Sequence, residues 1–175
     1  MEIVLSGIAK GFAVDRVSEW LSAQGVSSSL VEIGGEIRTG GTKPGGHPWS
    51  VGIEQPTAHT RSLQKTISLT NLAMATSGDY RNYFEKNGQR YSHTIDPRTG
   101  RPIEHRLASV TVIDKSCMTA DALATAMMVL GPVDGYNYAV EQELAAYFIV
   151  HHGDRFIEKP TPRFTELLSR SQRIQ

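Results

Sequence analysis

The stretch "TADALATAMMVLG" (Thr119–Gly131) reads as a helix that is apolar around almost its whole circumference and carries one carboxylate. Asp121 is the only charged residue between Lys115 and Asp134. A helix that is apolar on all sides is typical of a buried element. Asp121 shares a face with Thr125, because residues four apart in a helix are neighbours. The stretch therefore predicts a core helix over residues 117–130 with an acidic group inside it.

The buried carboxylate needs a partner, because an unpaired charge in the interior costs several kcal/mol. No Lys or Arg lies within a helical turn of Asp121. One interpretation is an acid in the first helical turn, stabilised by free N–H groups, while Thr125 bonds to the backbone. The other is a Mg²⁺ ion, since a carboxylate and a hydroxyl are oxygen ligands that this metal accepts. This stretch alone leaves both interpretations open.

The segments around this helix predict many antiparallel strands and a few further helices. A helix is predicted over residues 8–24, with an apolar stripe opposite a polar face. The stripe consists of Ala13, Val17, Trp20 and Leu21, and the polar face of Asp15, Ser18, Glu19 and Ser22. Further helices are predicted after Gly131-Pro132 and over residues 161–169. Strand-like runs, separated by turn residues such as Asn87-Gly88, lie at 29–41, 49–56, 65–78, 81–97, 107–114 and 145–159. This alternation predicts an α+β fold with a mainly antiparallel sheet.

Composition narrows the class of protein. The 175 residues suffice for one substantial core, so we expect a single domain over residues 1–175. Eighteen basic and 18 acidic residues give zero formal charge, which argues against nucleic acid as a partner. No run reaches the about 18 apolar residues of a membrane span, and the first residues do not resemble a signal peptide. The single cysteine, Cys117, is predicted to be a small buried hydrophobe rather than a nucleophile.

A second stretch, "LSGIAKGFAVD" (Leu5–Asp15), places two glycines and Lys10 at the start of the first helix. Free N–H groups at a helix N-terminus, together with a nearby cation, favour anions such as phosphate. The spacing is not that of a Walker loop. A tight turn packed against the sheet explains the same residues, and the motif does not decide between the two.

A third stretch, "YSHTIDPRTGRP" (Tyr91–Pro102), contains a histidine at a strand end. Strand alternation places Tyr91, His93 and Ile95 on one face. His93 could act as a general base at neutral pH, or it could satisfy a local hydrogen bond. None of the six histidines has the spacing of a metal-binding motif.

Taken together, these stretches resemble the ApbE family of FAD:protein FMN transferases. The resemblance extends from about Leu5 to Phe164 and rests on these motifs in this order: "LSGIAKGFAVD", "VEIGGEIRTGG", "ATSGDYRNYFEKNGQRYSHTIDPRTGRP", "SVTVI" and "ADALATAMMVLG". It implies Mg²⁺-dependent cleavage of FAD, with transfer of FMN to a Thr or Ser hydroxyl of an acceptor flavoprotein and release of AMP. Some members instead hydrolyse FAD to FMN and AMP, and a third reading is a flavin-binding module without transfer chemistry.

The resemblance also implies roles for individual residues. Three correspond to metal ligands: the backbone carbonyl of Gly7 and the side chains of Asp121 and Thr125. His93 corresponds to the group that deprotonates the acceptor hydroxyl. Lys10 and Ile95 match nucleotide contacts, and Gly34, Gly35 and Ser77 lie in loops that are expected to contact the cofactor. Val4 stands where many members carry an acidic residue.

Family members are longer than this chain, so the resemblance implies the C-terminal part of the family domain, with its N-terminal half absent. It also implies the bacterial periplasm, or the outer face of the inner membrane, as the location. The expected partners are FAD and an acceptor flavoprotein, and homo-oligomers are compatible with it.

Overall fold

The structure, a computed structural model, describes residues 5–57, 62–78, 83–86, 89–153 and 155–172. The elements follow in this order: α1 (Ala9–Ala23), β1 (Ser29–Ile33), β2 (Glu36–Gly40), β3 (Trp49–Glu54), β4 (Leu63–Leu69), β5 (Ala73–Gly78), β6 (Tyr83–Lys86), β7 (Gln89–Ser92), β8 (Ile95–Asp96), β9 (Arg101–Pro102), β10 (Leu107–Asp114), α2 (Cys117–Glu141), β11 (Ala145–His152), β12 (Arg155–Pro160) and α3 (Pro162–Gln172). The predicted α+β fold is confirmed.

A six-stranded sheet in the order β1-β2-β5-β10-β11-β12 organises the molecule, and each neighbouring pair is antiparallel. β10 is buried from Leu107 to Ile113. Its side chains point alternately to the two faces of the sheet, so burial along the whole strand means that both faces are covered. Ser109 and Thr111, the two hydroxyl residues of β10, are buried together with its apolar side chains.

The stretch Thr119–Gly131 lies within α2 and packs on one face of the sheet. One core cluster contains Ala120, Ala124, Met127 and Met128 of α2 together with Ala75, Val110, Val112, Ala146 and Phe148 of the strands. Gly131 interrupts the helix with a φ of 85°, a conformation that glycine adopts without strain. A second helical segment follows at Pro132, as the sequence predicts.

The β3–β4 hairpin and α3 cover the opposite face. Their core cluster joins Val51, Ile53, Ile67, Leu69 and Phe164 to Met74, Ile113, Tyr147 and Ile149 of the sheet. The rings of Tyr147 and Phe164 stack with their centroids 5.1 Å apart. The sheet is therefore the middle of three layers, with α1 and α2 on one side.

The apolar stripe predicted for α1 is wrong as a core face. Val17 and Trp20 are 42% and 61% exposed, whereas the supposedly polar positions Asp15 and Ser18 are buried together with Gly11 and Val14. The physical reason is that α1 packs against α2 through small and hydrogen-bonding residues. Close helix packing requires a glycine there, and apolar periodicity alone does not reveal it.

Two short hairpins, β6–β7 and β8–β9, complete the described chain. The predicted turn at Asn87-Gly88 lies outside the described residues, as does Asp154 between β11 and β12. The β8–β9 turn is closed by the Gly100 N–H, which donates to the Asp96 carbonyl at 2.8 Å. Within the described ranges, no helix combines the length and the apolar character that a membrane crossing requires.

Candidate functional site

The site lies where hydrogen bonds join α1 to the N-terminal part of α2. Asp15 of α1 accepts hydrogen bonds from the Cys117 and Met118 N–H groups at 2.9 and 3.0 Å and from Ser116 Oγ at 2.8 Å. Arg38 of β2 also donates to Asp15, at 2.6 Å. Burial by itself would raise the pKa of Asp15, but these hydrogen bonds together hold it below its usual value. A residue distant in sequence thus stabilises the start of α2.

Asp121 makes the reciprocal connection from α2 to α1. Its Oδ2 accepts a hydrogen bond from the Gly11 N–H at 2.9 Å, and the side chain is buried. Because α2 begins at Cys117, Asp121 lies beyond the first turn, and its described bond is to the other helix. The interpretation of Asp121 as a first-turn acid bonded to its own helix is therefore wrong. Burial raises the pKa of Asp121, although the Gly11 N–H and the charge of Lys10 oppose this.

Thr125 lies one turn further along α2, against the turn that precedes α1. A Cβ atom placed on Gly7 would lie 3.0 Å from Thr125 Cγ2 and 3.1 Å from its Oγ1. The Oγ atoms of Thr125 and Ser77 are 3.2 Å apart. The structure therefore brings Thr125 together with Gly7 and Ser77, one helical turn along α2 from Asp121, with Ser77 contributed by the end of β5.

This group of residues offers oxygen donors of the kind that Mg²⁺ binds. Among the described residues, no three His, Cys, Asp or Glu side chains cluster as a metal site, so nitrogen- or sulfur-based zinc coordination does not fit. One carboxylate, hydroxyls and a backbone carbonyl do fit Mg²⁺, which retains several waters in protein sites. Lys10 does not neutralise Asp121 directly, because its ammonium pairs with Glu36.

Lys10 and Glu36 form an ion pair beside these donors. Lys10 Nζ lies 2.7 Å from Glu36 Oε1, and the two side chains are 47% and 2% exposed. Glu36 Oε2 has no hydrogen-bond partner among the described residues. Burial raises the pKa of Glu36 although Lys10 opposes this, and the negative charge of Asp121 raises it further. The sequence predicted Glu36 only as part of the loop with Gly34 and Gly35, and not as a buried site residue. Its position beside Ile37 in a half-buried strand is the sequence signal that indicates burial.

The backbone of the turn before α1 is mostly satisfied internally. The Ile8 and Ala9 N–H groups donate to the Leu5 carbonyl at 3.1 and 3.0 Å, and the Gly11 N–H is engaged by Asp121. An anion at this end of α1 would therefore meet the half-exposed Lys10 ammonium more than free backbone donors.

A cavity of about 610 Å³ opens next to Lys10. The β1–β2 turn forms one wall through Gly34 and Gly35, whose φ values are 62° and 101°. The sheet and the β3–β4 hairpin supply the remaining walls, which include Met74, Thr76, Gly78, Val51 and Leu63. Of the residues predicted to contact a cofactor, Lys10, Gly34 and Gly35 line this cavity, and Ser77 lies beside it in β5 on the face turned to α2.

The other predicted site residues lie further along the chain. His93 is exposed directly after β7, Ile95 is 48% exposed in β8, and neither lines the cavity at Lys10. Their segment is anchored to α2 through His105, whose Nε2 lies 2.8 Å from the Met128 carbonyl oxygen. His93 and Ile95 are therefore solvent-accessible positions in the segment that precedes this contact.

Cys117 is fully buried, and burial raises the pKa of its thiol to about 12. This confirms the prediction of a small buried hydrophobe, because a thiol with so high a pKa is a weak nucleophile. Val4 lies outside the described residues.

Comparison with known proteins gives consistent matches. The model of the ApbE family matches residues 1–148. An FAD:protein FMN transferase from Vibrio cholerae is 51% identical over 166 residues, which cover 95% of this chain and 50% of the relative. One from Haemophilus influenzae is 47% identical and covers 93% and 47%. The crystal structure of the Pseudomonas stutzeri flavinyl transferase ApbE superimposes with a TM-score of 0.84 at 50% identity, covering 95% of this chain and 52% of that one.

The chain spans about half the length of the curated relatives that it matches. The matched part nevertheless includes each element that builds the cluster around Asp121, since α1, the β1–β2 turn, β5 and α2 all lie within residues 1–148.

Proposed function

Because the chain belongs to the ApbE family, we propose that it carries the metal and phosphate end of an FAD:protein FMN transferase site. The proposed reaction is Mg²⁺-dependent transfer of FMN from FAD to a Thr or Ser hydroxyl of an acceptor flavoprotein, with release of AMP. One observation supports it most: the buried carboxylate of Asp121 lies one helical turn from Thr125, whose side chain contacts Gly7 and Ser77.

In this proposal, Asp121, Thr125 and the Gly7 carbonyl hold Mg²⁺. When bound, the ion supplies positive charge that stabilises the negative charge developing on the pyrophosphate. The raised pKa of Asp121 fits this role, because the Gly11 N–H and the charge of Lys10 do not fully offset the burial of this carboxylate, and a cation would stabilise its charged form. The Gly11 N–H orients the carboxylate, since it fixes Oδ2.

Lys10 is proposed to bind the phosphate groups, and the adjoining cavity to take part of the flavin nucleotide. The cavity volume of about 610 Å³ is within the range of small-molecule sites. Gly34 and Gly35 allow a ligand to approach the backbone closely, as glycines commonly do at such turns. Ser77 and Ile95 remain proposed contacts from the two sides of this region.

His93 is proposed as the general base for the acceptor. The acceptor hydroxyl oxygen attacks the phosphorus of the FMN half, the bond from that phosphorus to the AMP oxygen breaks, and the hydroxyl proton passes to the imidazole. An exposed histidine suits this role, because the acceptor is itself a protein and must reach the base from solution.

Two other activities use the same residues. If water replaces the acceptor hydroxyl, FAD is hydrolysed to FMN and AMP. A flavin-binding module without catalytic activity would bind FAD and release neither product. For location, we propose the outer side of a bacterial inner membrane.

The test is to incubate the chain with FAD, Mg²⁺ and a peptide that carries an acceptor threonine. Covalent flavin fluorescence on the peptide together with AMP supports the transferase. Free FMN with AMP supports the hydrolase, and bound but intact FAD supports the binding module. If FAD neither binds nor reacts with or without Mg²⁺, the proposal is wrong for this chain.

A further inference from the structure

The Lys10–Glu36 ion pair is unusual in how unequally its partners are buried. The side chain of Glu36 is 2% exposed, whereas that of Lys10 is 47% exposed, and their charged atoms are 2.7 Å apart. The carboxylate is thus fixed in the interior between the sheet and the helices, and the ammonium reaches it from the surface. Such a pair holds a flexible lysine at one place.

Stability alone does not explain this arrangement. Glu36 Oε2 is buried without a hydrogen-bond partner among the described residues, and a buried polar atom left in this way is destabilising. An ion pair with a half-exposed lysine returns little stability, because solvent screens it. A neutral residue of similar shape would lower the stability of the fold less than this buried carboxylate does. The charge of Glu36 therefore indicates that the site needs a carboxylate at this position.

The surroundings show what the pair controls. Lys10 lines the cavity, and the negative charge of Asp121 acts on it as well as that of Glu36. A long lysine side chain without a fixed partner would move among several positions, including ones closer to Asp121. Gly34 provides the necessary space, since a Cβ atom there would lie 3.3 Å from Lys10 Cδ and 3.7 Å from Glu36 Oε2.

We propose that Glu36 is a positioning residue, which fixes the Lys10 ammonium at the mouth of the cavity so that it meets the phosphate groups of FAD. The identity of the ligand rests on the function proposed above, whereas the positioning of Lys10 does not. Glu36→Gln should release Lys10 without unfolding the protein, because the freed ammonium can reach water and an amide is less costly to bury than a carboxylate.

The first test measures Lys10 directly in the full chain. Reductive methylation of the native protein, quantified for each lysine by mass spectrometry, should proceed several-fold faster at Lys10 in Glu36→Gln than in wild type. Exposed Lys115 serves as the internal standard. Glu19→Gln is the matched control, because it removes the acidic partner of an exposed ion pair on α1 with the same change of charge. The melting temperature of Glu36→Gln should stay within about 2–4 °C of wild type.

An unchanged methylation rate at Lys10 would overturn the proposal. So would faster methylation of all lysines together with a large fall in melting temperature, because that result means that Glu36 only supports the fold.

The second test uses Mg²⁺ and FAD, with released AMP as the readout. Glu36→Gln should raise KM for FAD by about tenfold, as expected for a lost charge-assisted contact, with a smaller effect on kcat. Glu36→Asp, which keeps the charge, should recover part of this loss, and Glu19→Gln should resemble wild type. Wild-type kinetics in Glu36→Gln would overturn the positioning role. If the wild-type chain does not turn FAD over, the proposed function fails, and the methylation result alone decides whether Glu36 positions Lys10.

Discussion

Asp121 is the residue on which the proposed chemistry depends. Its carboxylate is 4% exposed, accepts one described hydrogen bond and has a raised pKa. Without a cation, such a charge is destabilising, since burial removes its hydration. A bound divalent ion would reverse this effect, because it supplies the missing positive charge. Stability measured with and without Mg²⁺ therefore reports on this side chain.

We predict that Asp121→Asn removes the stabilisation by Mg²⁺ while leaving the metal-free protein at least as stable as wild type. An asparagine keeps the shape and can still accept the bond from the Gly11 N–H, but it carries no charge to bury. Thermal unfolding with 0 and saturating Mg²⁺ measures both effects. Asp134→Asn is the control, as Asp134 is exposed on the same helix; an undiminished Mg²⁺ effect in Asp121→Asn would remove this residue from the metal site.

A second prediction concerns His93. Its exposure places it where an acceptor protein can approach, so His93→Ala should suppress FMN transfer while FAD binding changes little. A general base typically contributes a factor of about 10²–10⁴ in rate. Fluorescence of the labelled acceptor measures transfer, and equilibrium titration of FAD measures binding. Equal losses in both would show that the imidazole supports the structure of the β7–β8 segment instead.

Individual site residues could be predicted from the sequence to different extents. Asp121 and Thr125 were predictable as a pair because helical spacing places them on one face. The proximity of Gly7 to this part of α2 was predicted only from the family resemblance, since no local pattern connects residues more than a hundred positions apart. The role of Glu36 was not predicted, because the resemblance placed it only in the loop with Gly34 and Gly35, and no local pattern connects it with Lys10.

At the scale of elements, the contact between α1 and α2 depends on Gly11. A Cβ atom there would collide with the Cys117 carbonyl oxygen and would lie 2.8 Å from Asp121 Cβ. We predict that Gly11→Ala destabilises the protein by about 1–3 kcal/mol through overpacking, although alanine is ordinarily the better helix former. Chemical denaturation measures this change. Ser22→Ala, on the exposed part of α1, should be neutral or slightly stabilising; a similarly neutral Gly11→Ala would refute the close approach of the helices.

Asp15 makes the stability of the contact between α1 and α2 dependent on pH. Its folded-state pKa lies below its ordinary value of 3.8, so its contribution to stability is complete above that value and is lost as pH falls through the folded pKa. We predict that Asp15→Asn lowers the free energy of unfolding by about 1–3 kcal/mol at neutral pH.

The loss in Asp15→Asn should begin to shrink as pH falls below about 4, where the unfolded chain becomes protonated, and should vanish below the folded pKa, where the native protein also loses the charge. Urea unfolding at several pH values measures this difference, and Glu19→Gln, which removes the second carboxylate near Arg38, is the control. Asp121 and Glu36 have raised pKa values, so their protonation as pH falls has the opposite effect and removes the destabilisation that burial of their charges causes. A loss in Asp15→Asn that is constant down to pH 2 would contradict the role of its charge.

The elements themselves were largely predictable, and their packing was less so. Alternation and turn residues predicted strand-like runs where the hairpins lie, and residues 107–114 were predicted as a further strand. The order β1-β2-β5-β10-β11-β12 requires pairings between strands far apart in sequence, which local patterns do not encode. The buried face of α1 was mispredicted because hydrogen bonds from Asp15 and the small size of Gly11, and not apolar area, determine which side meets α2.

At the scale of the whole molecule, the outer side of α1 presents an apolar surface. Phe12, Val17 and Trp20 are 52%, 42% and 61% exposed. Large aromatic side chains grouped on one helix face are typical of surfaces that another protein segment covers. A second copy of this chain carries the same exposed apolar side chains, so pairing of two copies through this face would remove them from water.

We therefore predict that this chain associates with itself in a concentration-dependent manner, and that the double variant Phe12→Ser/Trp20→Ser reduces the association. Both side chains are more than half exposed, so their replacement should change the free energy of unfolding by no more than about 0.5 kcal/mol each. Sedimentation velocity over a range of concentrations measures the association, and the melting temperature verifies the fold. Val133→Ser, at a 63% exposed position on α2 away from this surface, is the matched control. A wild-type chain that remains monomeric at all concentrations, or a double variant that associates as strongly as wild type, would show that the outer face of α1 is not the surface through which copies meet.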